Sequence, residues 1–172
     1  MSESAEFVRL ESFSSDNSCF ACGSENPFGL HMQLYSDGHI VMARTVVPGH
    51  MCGWGNLVHG GILTTLLDET MSWAAIHLLK KLILTRTMQV AFLLPVAPNT
   101  TVRTEGRIDR QIKNTEALIS ASLYDERDQE CVRATGRFAL LSAKMMRRMK
   151  IMNDQTIADF EKRYERPDSG TR

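Results

Sequence analysis

The sequence has no excess of charge of either sign. Lysine plus arginine number 20 and aspartate plus glutamate 20 in 172 residues. The broad basic face by which proteins hold nucleic acid is therefore not expected, although the balance leaves room for a local basic pocket for phosphates. Long apolar runs are lacking too. The most hydrophobic stretches are broken by Asp68, Glu69 and Lys80, so no segment is expected to span a bilayer. The first 18 residues carry acids and serines where a signal peptide needs an apolar core, and no leader is expected. Cysteine is scarce: Cys19, Cys22, Cys52 and Cys131 are too few to staple a chain of this length. A reducing cytoplasm is the expected setting. The chain has an apolar fraction of 43% and a charged fraction of 23%, which is enough for one domain with its own core.

Periodicity sets the organisation. Residues 1–18 are expected to be a loosely ordered lead-in, residues 19–143 the domain, and residues 144–172 a basic connection, a short helix and a frayed end from Pro167. Two short strands are expected at Leu30–Tyr35 and His39–Val47, joined by the turn signal Ser36-Asp37-Gly38. A glycine-containing loop, Pro48 to Val58, leads to a helix from about Gly60 to Lys81. Apolar residues cover nearly its whole circumference, so it should be buried on most sides. Four alternating runs follow, at Thr85–Leu94, Thr101–Arg110, Thr115–Tyr124 and Cys131–Leu141. Their short polar links predict an antiparallel meander. Together these elements predict an α+β domain in which an antiparallel sheet of five or six strands wraps one long central helix. In the tail, Ile157, Phe160 and Tyr164 have helical spacing.

Two features of the central helix point beyond structure. Its start reads Val58-His59-Gly60-Gly61. Glycines there leave the backbone bare, so unpaired N–H groups and the helix dipole can meet developing negative charge. The second feature is Asp68. On a helical wheel Gly61, Thr65, Asp68 and Ser72 fall on one narrow stripe in mainly apolar surroundings. A carboxylate placed so needs a hydrogen-bond partner, water or a ligand. Glu69 lies off the stripe and reads as an outward or interfacial charge. Gly60 and Asp68 stand about 12 Å apart along the axis, too far to serve one reacting carbonyl from one helix. Two antiparallel copies of the helix across a two-fold axis would bring them together.

Three stretches carry a resemblance to a known family: Val58-His59-Gly60-Gly61-Ile62-Leu63-Thr64-Thr65-Leu66-Leu67-Asp68-Glu69, the run from Thr85 to Pro95, and the Cys19-to-Leu30 opening with its Cys-x-x-Cys-Gly-x-x-Asn-Pro-x-Gly-Leu pattern. Over residues 19–141 the sequence resembles the hotdog-fold acyl-CoA thioesterases of the phenylacetic-acid-pathway type, in the 4-hydroxybenzoyl-CoA thioesterase superfamily. The resemblance implies a hotdog fold, homodimers or dimers of dimers, and sites at subunit interfaces. It implies that the Gly60 N–H polarises the thioester carbonyl, and that Asp68 of the other subunit serves as general base or nucleophile. It implies that Thr85 helps orient the water. His59 reads as a structural member of the turn, and His59, Gly61, Asn56 and Thr65 are expected along the substrate. One departure stands out. Relatives carry Asn or Gln in the loop before the His-Gly-Gly, whereas Asn56 is the only carboxamide here and lies closer to His59.

The expected substrate is an acyl-CoA, with coenzyme A as part of the substrate and no further cofactor. Coenzyme A phosphates need basic donors, for which Arg110 and Lys113 near a turn are candidates. Acyl carrier protein is the alternative thiol half. Rival readings on the same fold are a non-catalytic acyl-CoA-binding module and a hydratase or dehydratase. A sensor would be expected to bring a DNA-binding segment, and a hydratase a cooperating Asp/His pair; neither is read in the sequence. No metal is expected. A structural zinc normally takes four ligands, and Cys19 and Cys22 have no second Cys-x-x-Cys, with His50 and Cys52 available only if the fold brings them near.

Overall fold

The computed structural model describes residues 6–13 and 17–164. The expected fraying from Pro167 and parts of the lead-in lie outside the described residues. Element order is β1 (Val8–Arg9), β2 (Leu34–Ser36), β3 (Val41–Val46), α1 (Gly60–Leu79), β4 (Leu82–Phe92), β5 (Thr101–Lys113), β6 (Glu116–Tyr124), β7 (Glu130–Leu141), α2 (Ala143–Met149) and α3 (Asp154–Tyr164). The helix, the strands and their antiparallel pairing match the expected hotdog architecture. The described sheet has seven strands, against the five or six expected. The added one is β1, two residues within the lead-in that pair with β2 at the sheet edge.

The helix forms where the sequence predicts and stops early for a local reason. His59 caps its N-terminus, and Lys80 takes a left-handed conformation that ends it. Leu66, Leu67, Met71, Ala74 and Ala75 are fully buried. At about 1.5–3 kcal/mol for each large apolar side chain, that burial is what pins the helix against the sheet. At the β2–β3 turn, Asp37 Oδ1 accepts from the His39 and Ile40 N–H groups at 2.8 and 2.9 Å.

The expected meander of four strands is corrected in one respect. Strands run in the order β1-β2-β3-β5-β6-β7-β4, so β4 pairs with β7 and not with its successor β5. The link after β4 is tied elsewhere: the Val96 carbonyl accepts from Val58 N–H at 2.9 Å and Asn99 N–H donates to the Val47 carbonyl at 2.8 Å. It therefore crosses near the helix start instead of turning back along β4. This leaves β4 as a long edge strand. Among the described residues no helix is long and apolar enough to cross a membrane.

A second apolar cluster joins the tail to the sheet. Leu82, Leu141, Met146, Ile157 and Phe160 pack together, so the helical spacing read in the tail is that of α3. Phe13 meets the Phe160 ring edge-on at 5.5 Å and the Trp73 ring at 5.8 Å, which ties the lead-in to both α3 and α1.

The helix lies close against the sheet at Gly106 of β5. A Cβ there would stand 2.9 Å from the Thr70 carbonyl oxygen and 3.0 Å from its methyl group. Beside it the Thr70 and Thr104 hydroxyls share a buried 2.7 Å hydrogen bond, and Thr70 also donates to the Leu66 carbonyl. Gly106→Ala would push helix from sheet. We expect a loss of about 1–3 kcal/mol, the scale of overpacking, read by chemical denaturation; an unchanged midpoint would show that the helix can shift freely.

Candidate active site

The helix start is built around His59. Its Nδ1 accepts from the Gly61 N–H at 2.9 Å, which places the ring proton on Nε2. Its carbonyl accepts from Ile62 N–H at 2.9 Å and Leu63 N–H at 3.2 Å. This is the structural part expected of His59. It also corrects the expectation for Gly61, whose N–H is spent on the cap and is not free for a ligand. Among the described residues, Gly60 N–H is the first-turn donor left without an acceptor. The ring of Phe92, at the end of β4, lies 3.3 Å from where a Gly60 Cβ would be.

Two turns on, Asp68 is partly exposed. Its Oδ1 accepts from the Thr85 hydroxyl at 2.9 Å. Partial burial raises the Asp68 carboxyl above the ordinary range, and the Thr85 bond pulls it part of the way back. Thr85 lies in β4 beside a register break between Thr85 and Thr87. Such a bulge re-aims a side chain, and here the hydroxyl it carries meets the helix. The arrangement presents a carboxylate with one oxygen held and the other available.

The remaining expected residues are less concentrated. Thr65 lies on the Asp68 stripe, but its hydroxyl donates back to the Gly61 carbonyl at 2.9 Å. Asn56 is exposed in the loop closed by the Gly53–Leu57 and Leu57–Trp54 backbone bonds. Arg110 and Lys113 are exposed toward the β5–β6 turn, each beside a register irregularity. Among the described residues the Asp68 side chain is hydrogen-bonded by Thr85 and not by Asn56, Arg110 or Lys113.

Glu69 overturns its reading as an outward or interfacial charge. Its Oε1 accepts from the Trp73 indole N–H at 2.9 Å, and the Cys19 sulfur lies 3.8 Å from Oε2. Burial, then the nearby Cys19, pushes its carboxyl up to about 7. The Cys22 side chain, with the backbone N–H groups of Cys22, Ala21 and Gly23, holds the Cys19 thiol down to about 5. Cys22 is pushed up, first by its bond to Cys19 and then by burial. The missed signal was Trp73, one turn after Glu69: a buried indole needs an acceptor.

Comparison with known proteins bears on this geometry. The family model described as Thioesterase superfamily matches residues 55–132, a stretch that includes Gly60, Asp68 and Thr85. A solved protein described as RHA08564, thioesterase superfamily protein, matches at TM-score 0.64 and 21% identity, over 72% of this chain and 60% of that one. This chain thus spans less than two thirds of that protein's length. The E. coli PaaI protein from the phenylacetic acid degradation operon matches at TM-score 0.60 and 15% identity, over 65% of this chain and 80% of that one. A hypothetical thioesterase from Streptococcus pneumoniae TIGR4, solved with coenzyme A, matches at TM-score 0.57 and 18% identity, over 60% of this chain and 80% of that one. The same pneumococcal protein was also solved with an aspartate and, separately, a threonine replaced by alanine. No curated protein matches the sequence. Residues 55–132 thus match the thioesterase superfamily model, and the chain has the hotdog fold.

The Asp68–Thr85 bond makes a prediction of its own. Thr85→Val keeps the shape and removes a donor that favours the charged carboxylate. The Asp68 carboxyl should then titrate at higher pH than in the wild type, read by carboxyl-carbon NMR. An unshifted titration would show that the bond is absent in solution.

Proposed function

We propose that the protein hydrolyses acyl-CoA thioesters to free acid and coenzyme A, as an enzyme of the phenylacetic-acid-pathway type, in a site shared by two copies of the chain. The observation that carries this reading is the Asp68 carboxylate, oriented by Thr85 on a helix whose bare start leaves the Gly60 N–H unpaired. The coenzyme A in the pneumococcal thioesterase structure supports the choice of thiol half. That protein's mutated aspartate and threonine support a working pair of those two residue types.

The chemistry follows from the groups. A water bound at Asp68 and Thr85 attacks the thioester carbonyl carbon while the Asp68 carboxylate takes its proton. Charge then grows on the carbonyl oxygen, where the Gly60 N–H and the positive end of the helix dipole stabilise it. The carbon–sulfur bond breaks and the thiol leaves with a proton. Direct attack by the carboxylate is the other route open to the same residue. The apolar Phe92, Leu93 and Leu94, exposed beyond the helix start, suit an acyl chain or a second subunit.

Assembly follows from the distance between the two catalytic groups. Gly60 and Asp68 lie on one helix about 12 Å apart along its axis, so the Gly60 of one chain must work with the Asp68 of another. The unpaired outer side of β4 offers an edge on which two sheets can join. All four cysteines are free, which suits a reducing cytoplasm.

Asp68→Asn should keep the fold and lower turnover by about 10²-fold or more, the scale of a lost general base. A panel of acyl-CoAs with free-thiol detection, beside a melting curve on the same preparation, reads both effects. Near-normal turnover in a folded variant would end this mechanism. A wild type that hydrolyses none of the panel would turn the reading toward a binding module.

A further inference from the structure

The Cys-x-x-Cys of the opening loop plays no part in the proposed chemistry, yet it is built with care. Gly23 N–H donates to the Cys19 carbonyl at 2.9 Å, closing a tight turn around the pair. No other residue fits after Cys22, because a Cβ on Gly23 would stand 2.1 Å from the Asn17 carbonyl oxygen. The turn is anchored on several sides. Leu30 N–H donates to the Phe20 carbonyl, Met32 N–H to the Ala21 carbonyl, Asn26 Nδ2 to the Ser18 carbonyl, and Glu25 N–H to the Asn17 carbonyl. The two sulfurs are therefore held in place, facing α1.

What they face is Glu69. One ligand atom from each of Cys19, Cys22 and Glu69 lies within 4.8 Å of the other two, and the Cys19 sulfur is 3.8 Å from Glu69 Oε2. Ligand atoms around a tetrahedral zinc stand about 3.6–3.8 Å apart, given Zn–S near 2.3 Å and Zn–O near 2.1 Å. The Trp73 indole binds the other carboxylate oxygen, Oε1, as an outer-shell donor would to orient a ligand. All three groups line one cavity of about 320 Å³, whose lining includes no lysine, arginine or histidine. Three potential anions thus gather where no side-chain cation balances them. His50 and Cys52 are not in the cluster.

We propose that Cys19, Cys22 and Glu69 bind one zinc-class divalent cation, which ties the opening loop to the central helix at the residue next to Asp68. Two thiolates and a carboxylate suit zinc or cobalt over magnesium or calcium. A water from the cavity side completes the tetrahedron. The site is separate from the thioester chemistry and does not depend on it.

The test is a titration of cobalt(II) into the full-length protein, reduced and stripped of metal. One equivalent per chain should bind, with the sulfur-to-cobalt charge-transfer absorption of thiolate ligation and the visible bands of a tetrahedral site, and zinc should displace it. Glu69→Gln preserves an acceptor for Trp73, and Cys22→Ser is nearly isosteric. Each should weaken binding at least about 10-fold, the least that even an outer-shell loss costs. Cys52→Ser and Asp68→Asn should leave binding unchanged. Circular dichroism and gel filtration on each variant establish that it is folded. Absence of cobalt binding in folded protein with titratable thiols would overturn the proposal. So would binding that survives both Glu69→Gln and Cys22→Ser at full strength.

Discussion

The structure depends on burying one helix on nearly every side. Leu66, Leu67, Met71, Ala74 and Ala75 point in several directions around α1 and all are fully buried. A single flat sheet cannot cover such a circumference, so the strands curl, and β5 comes close enough that only Gly106 fits beneath Thr70. The polar groups left on the helix then have few options. Thr70 is absorbed by Thr104 inside the core. Asp68 turns to the partly open side, where β4 supplies Thr85. The candidate site is the part of the helix that the sheet does not cover.

Neighbouring acids on this helix have different fates for the same geometric reason. Successive residues are turned by about 100°, so Asp68 and Glu69 cannot share surroundings. Asp68 meets a strand hydroxyl and keeps access to solvent. Glu69 is turned toward Trp73 and the cysteines of the opening loop. The loop therefore reports on the helix at a point one residue from the proposed base, and anything that changes the loop's hold on Glu69 acts next to Asp68.

Much of this was legible in the sequence. Full-circumference hydrophobicity located α1, and period-two alternation located β5, β6 and β7 to within a few residues, because both patterns express burial directly. The place of β4 was not legible. Short links imply neighbours only when the chain turns back, and nothing local announces that Val96 and Asn99 bind Val58 and Val47. At the site, the narrow stripe pointed to Asp68, which the structure sets against the Thr85 hydroxyl, and the glycines pointed to the helix start at Gly60. Gly61 was misread because the cap that consumes its N–H is the ring of His59, and histidine is not among the residues usually expected to cap. Glu69 was misread because a helical wheel shows direction on one helix and not the loop that arrives from 50 residues away.

That the reacting carbonyl is held between two chains is tested most directly by mixing two inactive variants. Gly60→Pro removes the unpaired N–H while keeping a residue favoured at the first helical position. The extended conformation of His59, at φ −62° and ψ 135°, is the one that precedes proline readily. Asp68→Asn removes the carboxylate. Co-expressed with different affinity tags, the two form mixed dimers in which one site of two carries both native groups. A purified mixed dimer should then show about half of wild-type turnover, since each parent contributes the group that the other lacks. Mixed dimers that assemble and stay as inactive as either parent would contradict the shared site and place both groups' work within one chain.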